Sequence, residues 1–282
     1  VNTSTILKFF LFADDTTIFF SSNQSKEAQK ILNNELSKVK VWLDCNKLSL
    51  NMDKSNYLKF SPLPEKISIT PKIENIPLIR KTTTKYLGVL IDDKLTWKDQ
   101  INSINMKLRR GIGMLSRVKD YVTNSTLKTL YYSFIYPYLD YNIINWSSAA
   151  PTNLTCLEIS NKKAVRTILS KNMREPSRPL FQQLDILPLA ELIKYKQGIF
   201  MWKTDHNQLP PLNQSSYLRN KSPIFVRQNI SKYILPSPRT SYAKRHCTYS
   251  TIRLWNNNIP ENVKQTTSLT CFKRSFKEHL LN

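Results

Sequence analysis

Apolar positions come in short clustered runs up to about residue 95 and recur at helical spacing after it. Residues 6–12 and 16–21 are rich in β-branched residues, Leu and Phe, with a short polar break between them. That pattern predicts two strands joined by a tight turn. Ala28, Ile31, Leu32, Leu36, Val39, Trp42 and Leu43 then follow a helical stripe. Residues 56–61 form a short strand-like run, and 66–69 a second. Prolines at 62, 64, 71 and 77 confine this region to loops and edge strands. The run 85–93 ("KYLGVLIDD") reads as a buried strand with a glycine in its middle.

The rest of the chain reads as helical. Ile101, Ile104, Leu108, Ile112, Leu115 and Val118 make one apolar stripe, and the polar face opposite carries Lys98, Lys107, Arg109, Arg110, Arg117 and Lys119. Thr123 or Asn124 is placed to cap the next helix, which Pro137 disturbs or ends. Further helices are predicted from Pro151 through Leu169 and from Leu189 to about Lys203. Residues 204–250 are rich in Pro, Ser and Asn and read as loop with short elements. A last helix carries Leu269, Phe272, Phe276 and Leu280, capped by Thr267 or Ser268. All five tryptophans sit in apolar surroundings and read as core. No internal repeat is present. The expected class is α+β, with strands concentrated before residue 95.

Charge changes the picture most. Lys and Arg number 42 against 20 acids, a net charge of +22. Such an excess points to nucleic acid or an anionic membrane surface. No apolar run approaches the roughly 18 residues of a membrane span. Only four glycines occur, and neither G-x-x-x-x-G-K-[ST] nor G-x-G-x-x-G is present. Cys45, Cys156, Cys247 and Cys271, with His206, His246 and His279, lack the spacing of a zinc site or a disulfide framework.

The candidate chemistry lies in "FFLFADDTTIFF" at residues 9–20, where Asp14 and Asp15 separate two apolar runs. Asp is a favoured turn residue. A carboxylate pair on a hairpin also suits two-metal chemistry, in which divalent ions about 3.5–4 Å apart activate a hydroxyl and steady a leaving pyrophosphate. Asp92 and Asp93 fit the same crude template, and local physics does not separate the two pairs.

Wider context separates them. Phe12-Ala13-Asp14-Asp15 resembles the [YF]-x-D-D hairpin of reverse transcriptases. Trp42-Leu43, Asn46 to Asn51, Lys54-Ser55 and Phe60 are similar to the W-L…N-x-L-x-[LI]-N-x-x-K-[ST]…F pattern of LINE-type (non-LTR) retrotransposon polymerases. Lys85-Tyr86-Leu87-Gly88-Val89, Asp92 and Trp97 resemble the [YF]-L-G-V-x-[IL]-D…W segment of the same enzymes. The helices of 121–170, Arg253 to Asn256, Ile259-Pro260 and Phe272-Lys273 resemble the C-terminal region of Jockey-like elements.

The resemblance implies an RNA-directed DNA polymerase that adds dNTPs to a primer 3′-hydroxyl on an RNA template with Mg²⁺. Residues 1–95 would be part of the palm, 96–172 a helical thumb, and 173–282 a helical and loop-rich C-terminal region. Asp14 and Asp15 would be the metal-binding, catalytic carboxylates, and Lys54 the lysine near the triphosphate. Phe12 and Ala13 would lie beside the primer end. Tyr86, Leu87 and Gly88 would form the primer-grip hairpin, leaving Asp92 and Asp93 as hairpin and turn residues. Lys107, Arg109, Arg110, Arg117 and Lys119 would meet nucleic-acid phosphates. The family's palm also carries an earlier strand with another catalytic Asp, and fingers that hold the nucleotide. Only thirteen residues precede Asp14, none of them acidic, and the first is Val1. The chain is therefore expected to be a C-terminal fragment, inactive alone, with Asp14 and Asp15 as an exposed, weak cation site. Its location would be intracellular, in the nucleus or a cytoplasmic ribonucleoprotein. The alternative is a non-catalytic, basic RNA- or DNA-binding protein derived from such an element. A basic membrane-surface protein is a third reading, which leaves the ordered motifs unexplained.

Overall fold

Two antiparallel strands come first because runs rich in Phe, Leu and β-branched residues flank a residue pair able to reverse direction. The computed structural model describes residues 4–22, 25–61, 69–210 and 233–282. The chain divides into two compact units, Val1–Leu95 and Thr96–Asn282.

In the first unit, β1 (Lys8–Phe12) pairs with β2 (Asp15–Phe19), and helix α1 (Ser25–Cys45) follows. Short strands come next: β3 (Asn56–Tyr57), β4 (Lys72–Ile73), β5 (Ile76–Pro77) and β6 (Ile79–Arg80). They pair as β3–β6, parallel, and β4–β5, antiparallel. A second longer hairpin, β7 (Thr83–Tyr86) with β8 (Val89–Asp92), ends the unit. Each pairing is a separate two-stranded sheet among the described residues. The strand expected over 56–61 shrinks to Asn56–Tyr57. The one expected over 66–69 lies outside the described residues except for Ile69, which is irregular. The run 85–93, read locally as one strand, folds back at Leu87-Gly88, so the glycine sits in a turn.

The core of this unit is small: Leu7, Ala28, Leu36, Val39, Ile73 and Val89 are buried. β4 packs on α1, where the Lys72 amide donates to Asn33 Oδ1 at 2.9 Å. Glu35 is buried on α1, and the Lys38 ammonium and the Ser4 hydroxyl hold its carboxyl below the usual range. That contact ties the segment leading into β1 to α1. Trp42 is only half-buried, against the expectation that all five tryptophans are core.

The second unit is helical. α2 (Lys98–Val118) packs on α3 (Asn124–Phe134), α4 (Tyr136–Asp140) and α6 (Pro151–Ile168). Thr123 caps α3 by accepting the Thr126 amide at 3.3 Å. Pro137 lacks an amide hydrogen, and the helix breaks at Ile135 before restarting as α4. α5 (Ile143–Trp146), α7 (Ser177–Gln183) and α8 (Leu189–Asp205) follow. The C-terminal elements are α9 (Ser241–Arg245), α10 (Cys247–Asn258), α11 (Glu261–Lys264) and α12 (Leu269–Leu281), the last capped by Ser268. The periodicity reading passes over α7 and α10. α7 spans barely two turns, and α10 starts inside the polar stretch read as loop.

α8 holds the unit together. It packs against α5 and α6 and also against α10 and α12. Helices on both sides of residue 172 thus share one compact unit. Met201 and Trp202 of α8 join Ile252, Trp255, Phe272 and Phe276 in one cluster. The Phe272 ring centroid lies 6.0 Å from Trp202, 6.1 Å from Trp255 and 5.4 Å from Phe276. Among the described residues no helix is long and apolar enough to cross a membrane.

Two predictions follow from this packing. A Cβ on Gly198 would run into the Phe276 ring. Gly198→Ala should therefore cost about 1–3 kcal/mol by overpacking, read as a lower denaturant midpoint. The second concerns alkali. Burial pushes the hydroxyls of Tyr131 and Tyr136 upward and that of Tyr132 up to about 12. The folded chain keeps these protons where the unfolded chain has released them. Stability should hold below about pH 10 and fall above it, by about 1.4 kcal/mol per pH unit for a fully buried tyrosine. Tyr131→Phe should flatten that fall in a urea titration repeated at each pH.

Candidate metal and nucleic-acid site

The β1–β2 register pairs Phe12 with Asp15, which leaves Ala13-Asp14 as a two-residue turn. Residues facing each other across an antiparallel pair share a side of the sheet, so Phe12 and Asp15 do. Neighbours along a strand point oppositely, but Asp14 lies in the turn and escapes that alternation. Both carboxylates are exposed at the tip. Behind them the hairpin shows solvent an apolar surface: Phe10, Leu11, Phe12 and Phe19 are 47–64% exposed.

Two adjacent carboxylates are a hard-oxygen donor set that suits Mg²⁺, which binds through one or two carboxylates and keeps several waters. Among the described residues no three His, Cys, Asp or Glu side chains gather into a metal-binding group. The pair therefore offers two ligands, without a third carboxylate beside it.

Lys54 is exposed in a tight turn before β3. Its amide donates to Asn51 Oδ1 at 3.1 Å, and the Ser55 hydroxyl donates to the Asn51 carbonyl at 2.8 Å. This is the local reason for Asn and Ser at those places: Asn51 satisfies the turn at both ends. The Thr84 hydroxyl bonds Asn56 Oδ1 at 3.1 Å, tying the Lys54 turn to the β7–β8 hairpin. That hairpin presents Tyr86 and Leu87 half-buried and Gly88 exposed, over a buried Val89. Asp92 is buried at the end of β8, where Oδ1 accepts the Lys94 amide at 3.2 Å. Asp93 lies 3.9 Å from the Arg80 guanidinium. Asp92 thus serves the turn that follows β8, and Asp93 links that turn to β6.

The cations sit in the second unit. Lys107, Arg109, Arg110 and Arg117 are exposed on α2, and Lys119 is its half-buried C-cap. The α2 sequence holds one acid, Asp99 in the first turn, and Arg117 in the last turn favours the negative helix end. The buried stripe includes Ile101, Leu108, Ile112 and Leu115, so the cations are left facing solvent. Lys107 Nζ lies 5.0 Å from the centre of the Tyr138 ring. The sequence reading did not single out Tyr138; its signal is the aromatic density of residues 131–141.

Three curated proteins of Drosophila melanogaster are similar to this chain. One is a probable RNA-directed DNA polymerase from transposon X-element, 25% identical over 162 residues, covering 56% of this chain and 18% of that protein. Another, from transposon BS, is 24% identical over 165 residues, covering 56% and 18%. The RNA-directed DNA polymerase from mobile element jockey is 23% identical over 188 residues, covering 65% and 20%. The chain thus spans about a fifth of the length of the curated relatives it matches. No family model matches the chain, and no solved structure does. The similarity expected from the hairpin motifs is to RNA-directed DNA polymerases of non-LTR mobile elements, and these relatives bear it out.

Both hairpins turn at a left-handed residue that is not glycine: Ala13 at φ 50° and Leu87 at φ 45°, the latter followed by Gly88 at φ 83°. Two-residue hairpin turns require positive φ, and an L side chain there costs about 1–2 kcal/mol. Ala13→Gly should remove that cost and return part of it as extra chain entropy. The expected net gain is about 0.5–1 kcal/mol. Amide hydrogen exchange along β1 and β2 should slow a few-fold, while β7 and β8 stay unchanged.

Proposed function

We propose that this chain is part of an RNA-directed DNA polymerase of a non-LTR mobile element, its first unit belonging to the palm and its helical unit holding nucleic acid. One observation carries the reading: adjacent carboxylates stand exposed at the tip of an apolar hairpin, on a strained two-residue turn. Strained backbone of this kind concentrates at functional sites. The similarity to three RNA-directed DNA polymerases supports the same reading.

In this reading Asp14 and Asp15 hold Mg²⁺, whose chemistry is to activate a primer 3′-hydroxyl and steady the leaving pyrophosphate. Ala13, without bulk, lets the primer backbone approach, and Phe12 flanks it. Lys54 neutralises charge on the dNTP triphosphate. Tyr86, Leu87 and Gly88 steady the primer. Lys107, Arg109, Arg110, Arg117 and Lys119 neutralise phosphates of RNA template and DNA primer without reading sequence. By itself the 282-residue chain binds nucleic acid without extending a primer, since two carboxylates make only part of a two-metal site. The second reading, a non-catalytic nucleic-acid binder, draws on the +22 charge.

Mn²⁺ as a paramagnetic stand-in separates the two. Amide signals of residues 12–16 should broaden first, and Asp14→Asn should abolish the effect. Broadening elsewhere would sink the metal role and leave the binder. On a primed RNA template with dNTPs, incorporation by the isolated chain would overturn the claim that it is inactive alone. Arg110→Ser with Arg117→Ser should weaken oligonucleotide binding uniformly across sequences and lower the salt slope by about 2.

A further inference from the structure

The segment from Tyr131 to Tyr141 holds six aromatic residues in eleven, the densest such stretch in the chain. Folding uses few of them. Tyr131, Ile135 and Leu139 are fully buried and form the core stripe of α3 and α4. Tyr132 is also exposed, but its ring already packs on those of Tyr131 and Tyr136, at separations of 5.4 and 5.2 Å. Phe134 and Tyr138 are different. They lie on either side of the break at Ile135, Phe134 at the end of α3 and Tyr138 in α4, and remain 43% and 40% exposed. A solvent-facing position of a helix has no packing need for a large ring.

Their neighbours on α2 are cationic. Gly111 is buried where α2 meets the α3–α4 junction; a Cβ there would come 3.0 Å from the Phe134 carbonyl oxygen. Lys107 lies one turn before Gly111 on the same stripe, with its ammonium over Tyr138 at 5.0 Å. Arg110 precedes Gly111 on the exposed side. Two half-open rings thus neighbour a helix that carries five Lys or Arg residues and one acid, Asp99, with Lys107 reaching Tyr138.

We propose that Phe134 and Tyr138, with Lys107 over Tyr138 and Arg110 exposed on the adjoining helix, form a stacking platform for unpaired bases of single-stranded nucleic acid. The rings take base faces and the cations take the adjoining phosphates. A duplex hides its base faces and gains only from the cations. The proposal rests on the nucleic-acid reading of α2 and adds that this edge distinguishes single strands from duplexes.

Fluorescence anisotropy with the full chain tests it, using three labelled probes: a 20-mer single strand, a blunt 20-base-pair duplex and an abasic 20-mer. Phe134→Leu combined with Tyr138→Leu keeps apolar bulk and both cations. Affinity for the single strand should fall about tenfold or more. Duplex and abasic affinities should stay within about twofold, with an unchanged salt slope. The Phe134→Tyr, Tyr138→Phe pair should restore single-strand affinity, which a loss of folding would not permit. Unchanged single-strand affinity in the Leu pair overturns stacking alone, as does an equal loss on all three probes. Failure of the unaltered chain to bind any probe overturns the nucleic-acid reading and the platform with it.

Discussion

A two-residue β-turn needs backbone at positive φ, and a chain with four glycines must take it from other residues. Ala13 and Leu87 carry that demand in the two longest hairpins. The cost is offset locally only in the second hairpin, where Val89 is buried beside the turn and Asp92 and Asp93 anchor the far end of the strand pair. In the first, the strained alanine lifts two carboxylates above a sheet whose phenylalanines face solvent. Strain, exposed charge and exposed apolar surface coincide at one tip. That coincidence supports the proposed metal role more than the Asp-Asp pair does alone.

The two units present different chemistry. The first presents acids at a hairpin tip, with Lys54 held in an Asn51 turn that is tied to the second hairpin through Asn56 and Thr84. The second presents cations on α2 and rings on α3 and α4, on a scaffold held by α8. The continuous aromatic core around Trp202 and Phe272 makes the helical unit the firmer support.

Much of this was legible in sequence because its causes are local. Two runs rich in β-branched residues, Leu and Phe around a polar break marked β1 and β2, and periods of three and four marked α1, α2, α6 and α8. Thr123 and Ser268 announced their helices through hydroxyls that accept amides three residues on. The 85–93 run was harder. Periodicity cannot tell one buried strand from two short ones, and only the Leu87-Gly88 dihedrals make the reversal. α10 was hidden by its polar lead-in, although Ile252 and Trp255 are among its buried residues.

Readable from the residues in order were most of the longer elements, the carboxylate pair on a hairpin, the cation-rich helix and the likeness to RNA-directed DNA polymerases. These depend on spacing along the chain. Tertiary structure alone decided that α8 is packed by helices from both directions, that Gly198 must stay small against Phe276, and that Lys107 rides over Tyr138. It also decided which aromatics are spent on the core and which stand free. The physical reason is that exposure and contact belong to pairs of residues distant in sequence, and a one-dimensional pattern carries no record of which pairs will meet.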